Sequence, residues 1–184
     1  MGLKFRPPRK DEIEVRIGQI SEKGLSLLLY QDARVGMTIL DETVGPENWQ
    51  RKHDLINGNL FCSVGVNIAY DKPDLPPIWV WKQDVGVESM TEKEKGQASD
   101  SFKRAVVNWG VCRCLYSAPF IWVPADKVEI REIGGRKVCK DAFYVEKILI
   151  EGDNITALAI KRKGRNGKPD ERVFVLSPAK KEDK

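Results

Sequence analysis

The stretch from Trp79 to Tyr116, WVWKQDVGVESMTEKEKGQASDSFKRAVVNWGVCRCLY, leaves this chain few options, because a strand-like run and a helix-like run meet there across a short turn. The first run ends in Asp84-Val85-Gly86. In the second, apolar residues fall at Ala98, Phe102, Ala105, Trp109, Cys112 and Tyr116, alternately four and three apart, which puts them on one face of a helix. Ser89 with Glu92, and Thr91 with Glu94, each fit a capping box, in which a hydroxyl and a carboxylate satisfy orphan amides reciprocally. Glu92 and Glu94 also set negative charge at the positive end of the helix dipole. A helix from about Thr91 to Tyr116, packed on the strand before it, is the expectation.

At about 100° per residue, Lys103 and Arg104 turn away from the apolar face, and Lys93 and Asp100 project with them. From Ser101 to Tyr116 the basic residues are Lys103, Arg104 and Arg113, and no residue is acidic. A solvated polar face is the simplest account of an arbitrary Lys-Arg pair. Here, however, only Asp100 sits near helical pairing distance, and it serves both cations poorly. An anionic partner is therefore expected, of a kind that periodicity alone does not name.

The rest of the chain limits that partner. Its 184 residues, 41% of them apolar and five of them tryptophan, can bury a core in one domain with an appendage. Residues 161–184 hold nine Lys/Arg against four Asp/Glu, while the remainder holds 22 against 23. The body is thus neutral, so an anion site there must be a local groove, and the C-terminus is a basic tail. Four cysteines and a single histidine make a poor metal set, and Cys112 and Cys114, two apart on the expected helix, point apart. No metal or other cofactor is expected. Free thiols in a reducing cytoplasm are expected, with no signal peptide and no apolar run of membrane-spanning length.

Taken in order, residues 1–12 are basic and proline-broken and read as a flexible arm. Glu12 to Ile20 alternates as a strand, and Leu25 to Tyr30 reads as its return strand or as the start of a helix. Asp32 can cap a helix to about Thr43, which Gly45-Pro46 ends. Asn59 to Tyr70 is the clearest strand, followed after three prolines by Ile78–Val85 as its antiparallel partner. Trp79 and Trp81 share a face there, and core packing or an oligomer interface explains them more simply than base stacking. Beyond Pro119 and Pro124, the runs Phe143–Ile150, Ile155–Lys163 and Arg172–Leu176 read as a small meander. The fold class read from this pattern is α+β: an antiparallel β-hairpin packed on one long helix, with a small C-terminal β-meander. Its divisions are the arm at 1–12, a core at 13–125, the meander at 126–176 and a Lys-rich tail at 177–184.

Several chemistries lack their residues. There is no G-x-x-x-x-G-K-[ST] loop for ATP or GTP, and a Ser-His-Asp triad would have to use His53, which has no nucleophile motif near it. Asp84, Glu88, Glu92 and Glu94 could form a metal-dependent nuclease cluster, but the spacing of the nuclease pattern fails, and helix capping explains these glutamates better.

Three motifs carry a resemblance. Gly45-Pro46-Glu47-Asn48-Trp49-Gln50, Trp81-Lys82-Gln83-Asp84-Val85-Gly86 and SDSFKRAVVNWGVCRCLY (Ser99–Tyr116) together resemble the Sak-type phage single-strand annealing proteins of the Rad-fifty-two recombination mediator superfamily. The match runs over Tyr30 to Trp122, about half the chain. It implies a non-enzymatic, ATP-independent protein that binds single-stranded DNA and anneals complementary strands in recombination and repair. It further implies a β-β-β-α core that assembles into a homo-oligomeric ring or spiral, action in the cytoplasm of the host cell, and a single-strand-binding protein or exonuclease as a further partner. By the resemblance, Lys103 and Arg104 hold the phosphodiester backbone and Arg34 helps to close the site; Lys93, Lys95, Asn108 and Arg113 complete the candidate DNA-binding set. Asn108 stands where phage relatives commonly carry a basic residue, Val107 where eukaryotic relatives carry one, and Cys112 and Cys114 replace a glycine and an aromatic. Two alternatives stay open: a metal-dependent phage nuclease and a nucleic-acid coat protein that does not anneal.

Overall fold

The computed structural model describes residues 3–87, 93–165 and 167–177. Along the chain lie β1 (Glu14–Ile20), β2 (Gly24–Tyr30), α1 (Ala33–Val44), β3 (Trp49–Ile56), β4 (Asn59–Asn67), β5 (Trp79–Val85), α2 (Lys93–Asn108), β6 (Ile121–Pro124), β7 (Ile130–Ile133), β8 (Arg136–Cys139), β9 (Phe143–Glu151), β10 (Asn154–Arg162) and β11 (Glu171–Leu176). The architecture mixes α and β, its sheet pairings are antiparallel, and it has two α-helices among the described residues. The chain forms two compact units, one from residues 3–8 and Asp32–Arg113, the other from Arg9–Gln31 with the chain from Cys114 onward.

In the first unit, β3, β4 and β5 form a sheet in that order. The alternation of β4 puts Cys62, Val64 and Val66, all fully buried, on the face that α2 covers with Phe102, Ala105 and Val106. Asp32 caps α1 as its sequence requires, its carboxylate accepting from the Arg34 amide at 2.8 Å. α1 brings Gly36 against Phe102 and Val106, where an added Cβ would meet both at 3.4 Å. Within residues 3–8, the Arg6 guanidinium pairs with Glu42 of α1.

The helix from the central stretch is shorter than its spacing predicts. α2 ends at Asn108 because Gly110 takes a left-handed φ of 98°. The Gly110 amide then donates to the Val107 carbonyl (2.9 Å) and the Val111 amide to the Val106 carbonyl (3.1 Å), a Schellman closure with Val111 and Val106 both buried. Cys112 also has positive φ, 52°, so it and Cys114 do not continue the helical face, and Arg113–Ser117 is a separate 3-10 turn. Tyr116, expected on the apolar face, is 63% exposed. The capping residues Ser89, Thr91 and Glu92 lie outside the described residues. So do Glu88 and the tail beyond Ser177.

The second unit is a six-stranded sheet in the order β11-β10-β9-β1-β2-β6, plus the β7-β8 hairpin. Leu25 and Leu27 of β2, Ile121 and Val123 of β6, and Leu158 and Ile160 of β10 fill its core. Its edge strands β11 and β6 approach each other, so the sheet curls toward a barrel. Residues Phe143–Leu176, read from sequence as an appendage, are therefore half of one sheet whose other half includes β1 and β2. Periodicity revealed the three strands of the meander but not that β9 pairs with β1, where Tyr144 stands opposite Glu14 across 130 residues of chain.

On this sheet, Glu146 of β9 lies between Arg172 (2.6 Å) and Lys161 (3.1 Å). The hydrogen bond from Arg172, with help from Lys161 and against a desolvation penalty, lowers the Glu146 carboxyl from its ordinary 4.5 to about 2. A depressed folded-state pKa gives stability that is present above the unfolded value and lost as the pH falls through the folded one. The melting-temperature difference between wild type and Glu146→Gln is therefore expected to be full near pH 6 and to close between pH 4.5 and about 2. Melting curves over that range check it, and a difference that persisted at pH 2 would contradict it.

Candidate nucleic-acid interface

The site is built where β5 hands over to α2. Gly86 closes β5 with its amide on the Leu60 carbonyl (3.0 Å), and its own carbonyl accepts from the Gln97 side chain (3.3 Å). A Cβ on Gly86 would stand 2.2 Å from the Gln97 carbonyl oxygen, so only glycine lets the helix lie this close. The Asp100 carboxylate accepts from the Val87 amide at 3.0 Å, which occupies the acidic residue nearest in sequence to the Lys-Arg pair. At the other end, Trp109 donates its indole N–H to the Val64 carbonyl (3.0 Å) and pins the helix terminus to the sheet.

On this fixed helix, Lys103 lies away from the buried row of Phe102, Ala105 and Val106 and makes no ion pair among the described residues. Arg104, one residue on, turns about 100° toward β5. There its Nε meets the Asp84 carboxylate at 3.4 Å, with both side chains partly exposed. The expectation of unpaired charge on this half of the helix is thus corrected: Arg104 has a carboxylate partner, supplied by β5 and invisible to helical spacing.

The other expected residues divide. Arg34 is 89% exposed at the start of α1, with only a distant contact to Asp32 at 3.9 Å. Asn108 donates to the Gln83 carbonyl (3.1 Å), bridging α2 to β5. Arg113 donates to the carbonyls of Val107 (3.0 Å) and Asn108 (3.2 Å), so this cation closes the negative end of the helix. Lys93 and Lys95 fall in the first turn of α2, and their side chains are outside what the structure describes.

Sequence reasoning missed β3, Trp49–Ile56, whose polar residues hid a strand at the edge of its sheet. It adds Arg51, whose guanidinium lies 5.0 Å from the Phe102 ring centroid, and Lys52, whose ammonium lies 5.9 Å from that of Trp81. Lys82 of β5 was passed over as well; its amine donates to the Asn108 carbonyl (2.8 Å) and sits 4.6 Å from the Trp109 ring. On the sheet face turned from α2, the Trp81 ring lies flat on Gly65, where a Cβ would come within 2.8 Å of it, and is 42% exposed.

Burial pushes the Cys62 thiol up to about 11, against a small opposing pull from Arg51, which leaves it protonated and inert at neutral pH. No group of three or more His, Cys, Asp or Glu side chains among the described residues is arranged to hold a metal ion. Among the described residues, no helix is long and apolar enough to cross a membrane. What the α2 surface offers is a rigid ridge carrying one open cation and one shared with a carboxylate, which suits a multiply charged anion better than a neutral ligand.

No protein-family model matches the chain, and no solved structure matches it. The chain is similar to the Single-stranded DNA-binding protein DdrA of Deinococcus radiodurans, with 30% identity over 102 residues. That match covers 54% of this chain and 45% of the relative, so the chain spans less than half of that protein's length.

Proposed function

We propose that this protein binds single-stranded DNA along the outer face of α2 and anneals complementary strands without ATP, as a member of the single-strand annealing superfamily that its motifs resemble. The observation that carries the reading is Lys103 beside Arg104, both half-buried on the side of a helix away from its packed face, a helix whose position is fixed at both ends. Lys and Arg on phosphate oxygens give affinity without sequence preference, and bases left facing outward can sample a second strand. The name of the similar protein supports single-stranded DNA as the ligand. Arg34 belongs to the proposed site as an exposed guanidinium able to fork to two phosphate oxygens.

Assembly into a ring or spiral is part of this proposal. Each end strand of the three-stranded sheet, β3 and β5, has one unpaired edge among the described residues. Trp81, Leu55 and Ile56 are exposed on this sheet and its hairpin tip. Repeated subunits would align weak contacts along one strand.

Incubation with labelled complementary oligonucleotides, without nucleotide, is expected to speed their pairing, and sedimentation is expected to show a large assembly. A stable monomer at micromolar concentration would remove the assembly and the shared groove together. Strands shortened in the presence of Mg²⁺ or Mn²⁺ would instead identify a nuclease, and strands shielded from pairing a coat protein.

A further inference from the structure

The second unit contains a cleft that the proposed function does not use. Its volume is about 390 Å³, and its walls come from the β7 segment, the end of β10 and the loop that follows. Five cationic side chains line it, from Arg131, Arg162, Lys163, Arg165 and Lys168, against the two carboxylates of Glu129 and Asp141. The carboxylates act as organisers. Asp141, its side chain only 3% exposed, lies 3.5 Å from Arg165 and 3.8 Å from Arg162, and it also accepts from the Glu129 amide at 2.8 Å. Glu129 in turn meets Arg131 at 3.0 Å and Arg165 at 3.5 Å. Three guanidiniums are thereby fixed around one pocket, while Lys163 and Lys168 form no ion pair among the described residues.

The loop itself is held closed. The Gly164 amide donates to Asp170 (2.8 Å), and the Lys168 amide donates to the Arg165 carbonyl (3.0 Å). A Cβ on Gly164 would collide with the Lys168 carbonyl oxygen at 1.8 Å, so the turn depends on glycine.

We propose that this cleft is a phosphate-binding site, taking a phosphate group carried by a nucleic-acid strand or by a free phosphate ester. Guanidiniums locked by carboxylates present N–H forks without having to order them on binding, and the two lysines supply the excess positive charge. A concave, charged site of this size also focuses its field on an entering anion. The proposal rests on the second unit alone and does not depend on the reading of α2.

The test compares the full-length wild-type chain with Lys163→Ala/Lys168→Ala and with Lys103→Ala. Inorganic phosphate is titrated by calorimetry, and a labelled oligothymidylate by anisotropy at several salt concentrations. The double variant is expected to lose at least tenfold in phosphate affinity. If a strand supplies the phosphate, the double variant also flattens the oligonucleotide log-log salt slope by about 1.4, at ~0.7 per phosphate. Loss of phosphate binding with an unchanged slope assigns a free phosphate ester. Wild-type behaviour of the double variant toward both probes would overturn the site and leave a structural ion-pair network. Should the alanine pair melt lower than wild type, Lys163→Gln/Lys168→Gln removes the charge at nearly constant side-chain length. Failure of the α2 reading shows separately, as a Lys103→Ala protein that binds the oligonucleotide normally.

Discussion

Lys103→Ala is expected to weaken single-strand binding by roughly ten- to a hundredfold, the scale of one charge-assisted hydrogen bond at about 1.5–3 kcal/mol. Its melting temperature should hardly move, because Lys103 lies off the packed face and holds no partner among the described residues. Arg104→Ala is expected to act in the same direction, and the pair together should flatten the salt slope by about 1.4 per protomer, at ~0.7 for each single-strand phosphate. The Asp84 contact adds a prediction of opposite sign. Asp84 lies 3.4 Å from Arg104, so on the proposed reading it would both compete with phosphate and repel it. Asp84→Asn should therefore tighten binding, whereas a purely structural ion pair would leave affinity unchanged and lower only stability. Anisotropy titrations of the variants, with their melting curves, separate these outcomes. A double variant that bound normally but fell apart into subunits would make the Lys-Arg pair an interface element and place the groove elsewhere.

Gly86→Ala is expected to be among the most damaging single changes in the first unit. The added methyl would lie 2.2 Å from the Gln97 carbonyl oxygen and 2.8 Å from the Ser101 amide nitrogen, both backbone atoms of α2 that cannot turn aside. The helix must lift from the end of β5, loosening the Asp100–Val87 bond and the packing of Phe102. Overpacking of this kind costs about 1–3 kcal/mol, or roughly 2–12 °C in melting temperature for a chain of this size. DNA binding should fall with it, since the same helix carries Lys103. A variant as stable as wild type would show that the β5–α2 corner is softer than its geometry implies.

These two residues mark what the sequence disclosed. The periodic spacing around Phe102 identified α2 and its polar side, Asp32 announced the start of α1, and the alternation of β4 gave its buried face. The end of α2 was misread because Trp109, Cys112 and Tyr116 continue the helical spacing, while the stop signal was a single glycine, Gly110, at the position a Schellman closure needs. β3 stayed hidden because an edge strand has few buried positions, so Trp49-Gln50-Arg51-Lys52-His53 carries little alternation. The partner of Arg104 could not be read at all. Asp84 is twenty residues away, and only the register of β5 beneath α2 brings it there.

The caps at the foot of α2 carry a consequence for strand length. Arg113 and Lys82 are cations at the end of α2, yet both hold helix carbonyls. On the proposed reading, each protomer then grips only a few phosphates, too few for a short fragment to stay bound. Occupancy would rise sharply once a strand is long enough to touch several protomers together. Such a protein responds to the extent of exposed strand more than to its concentration, and so would pass over brief gaps and collect on long single-stranded tracts.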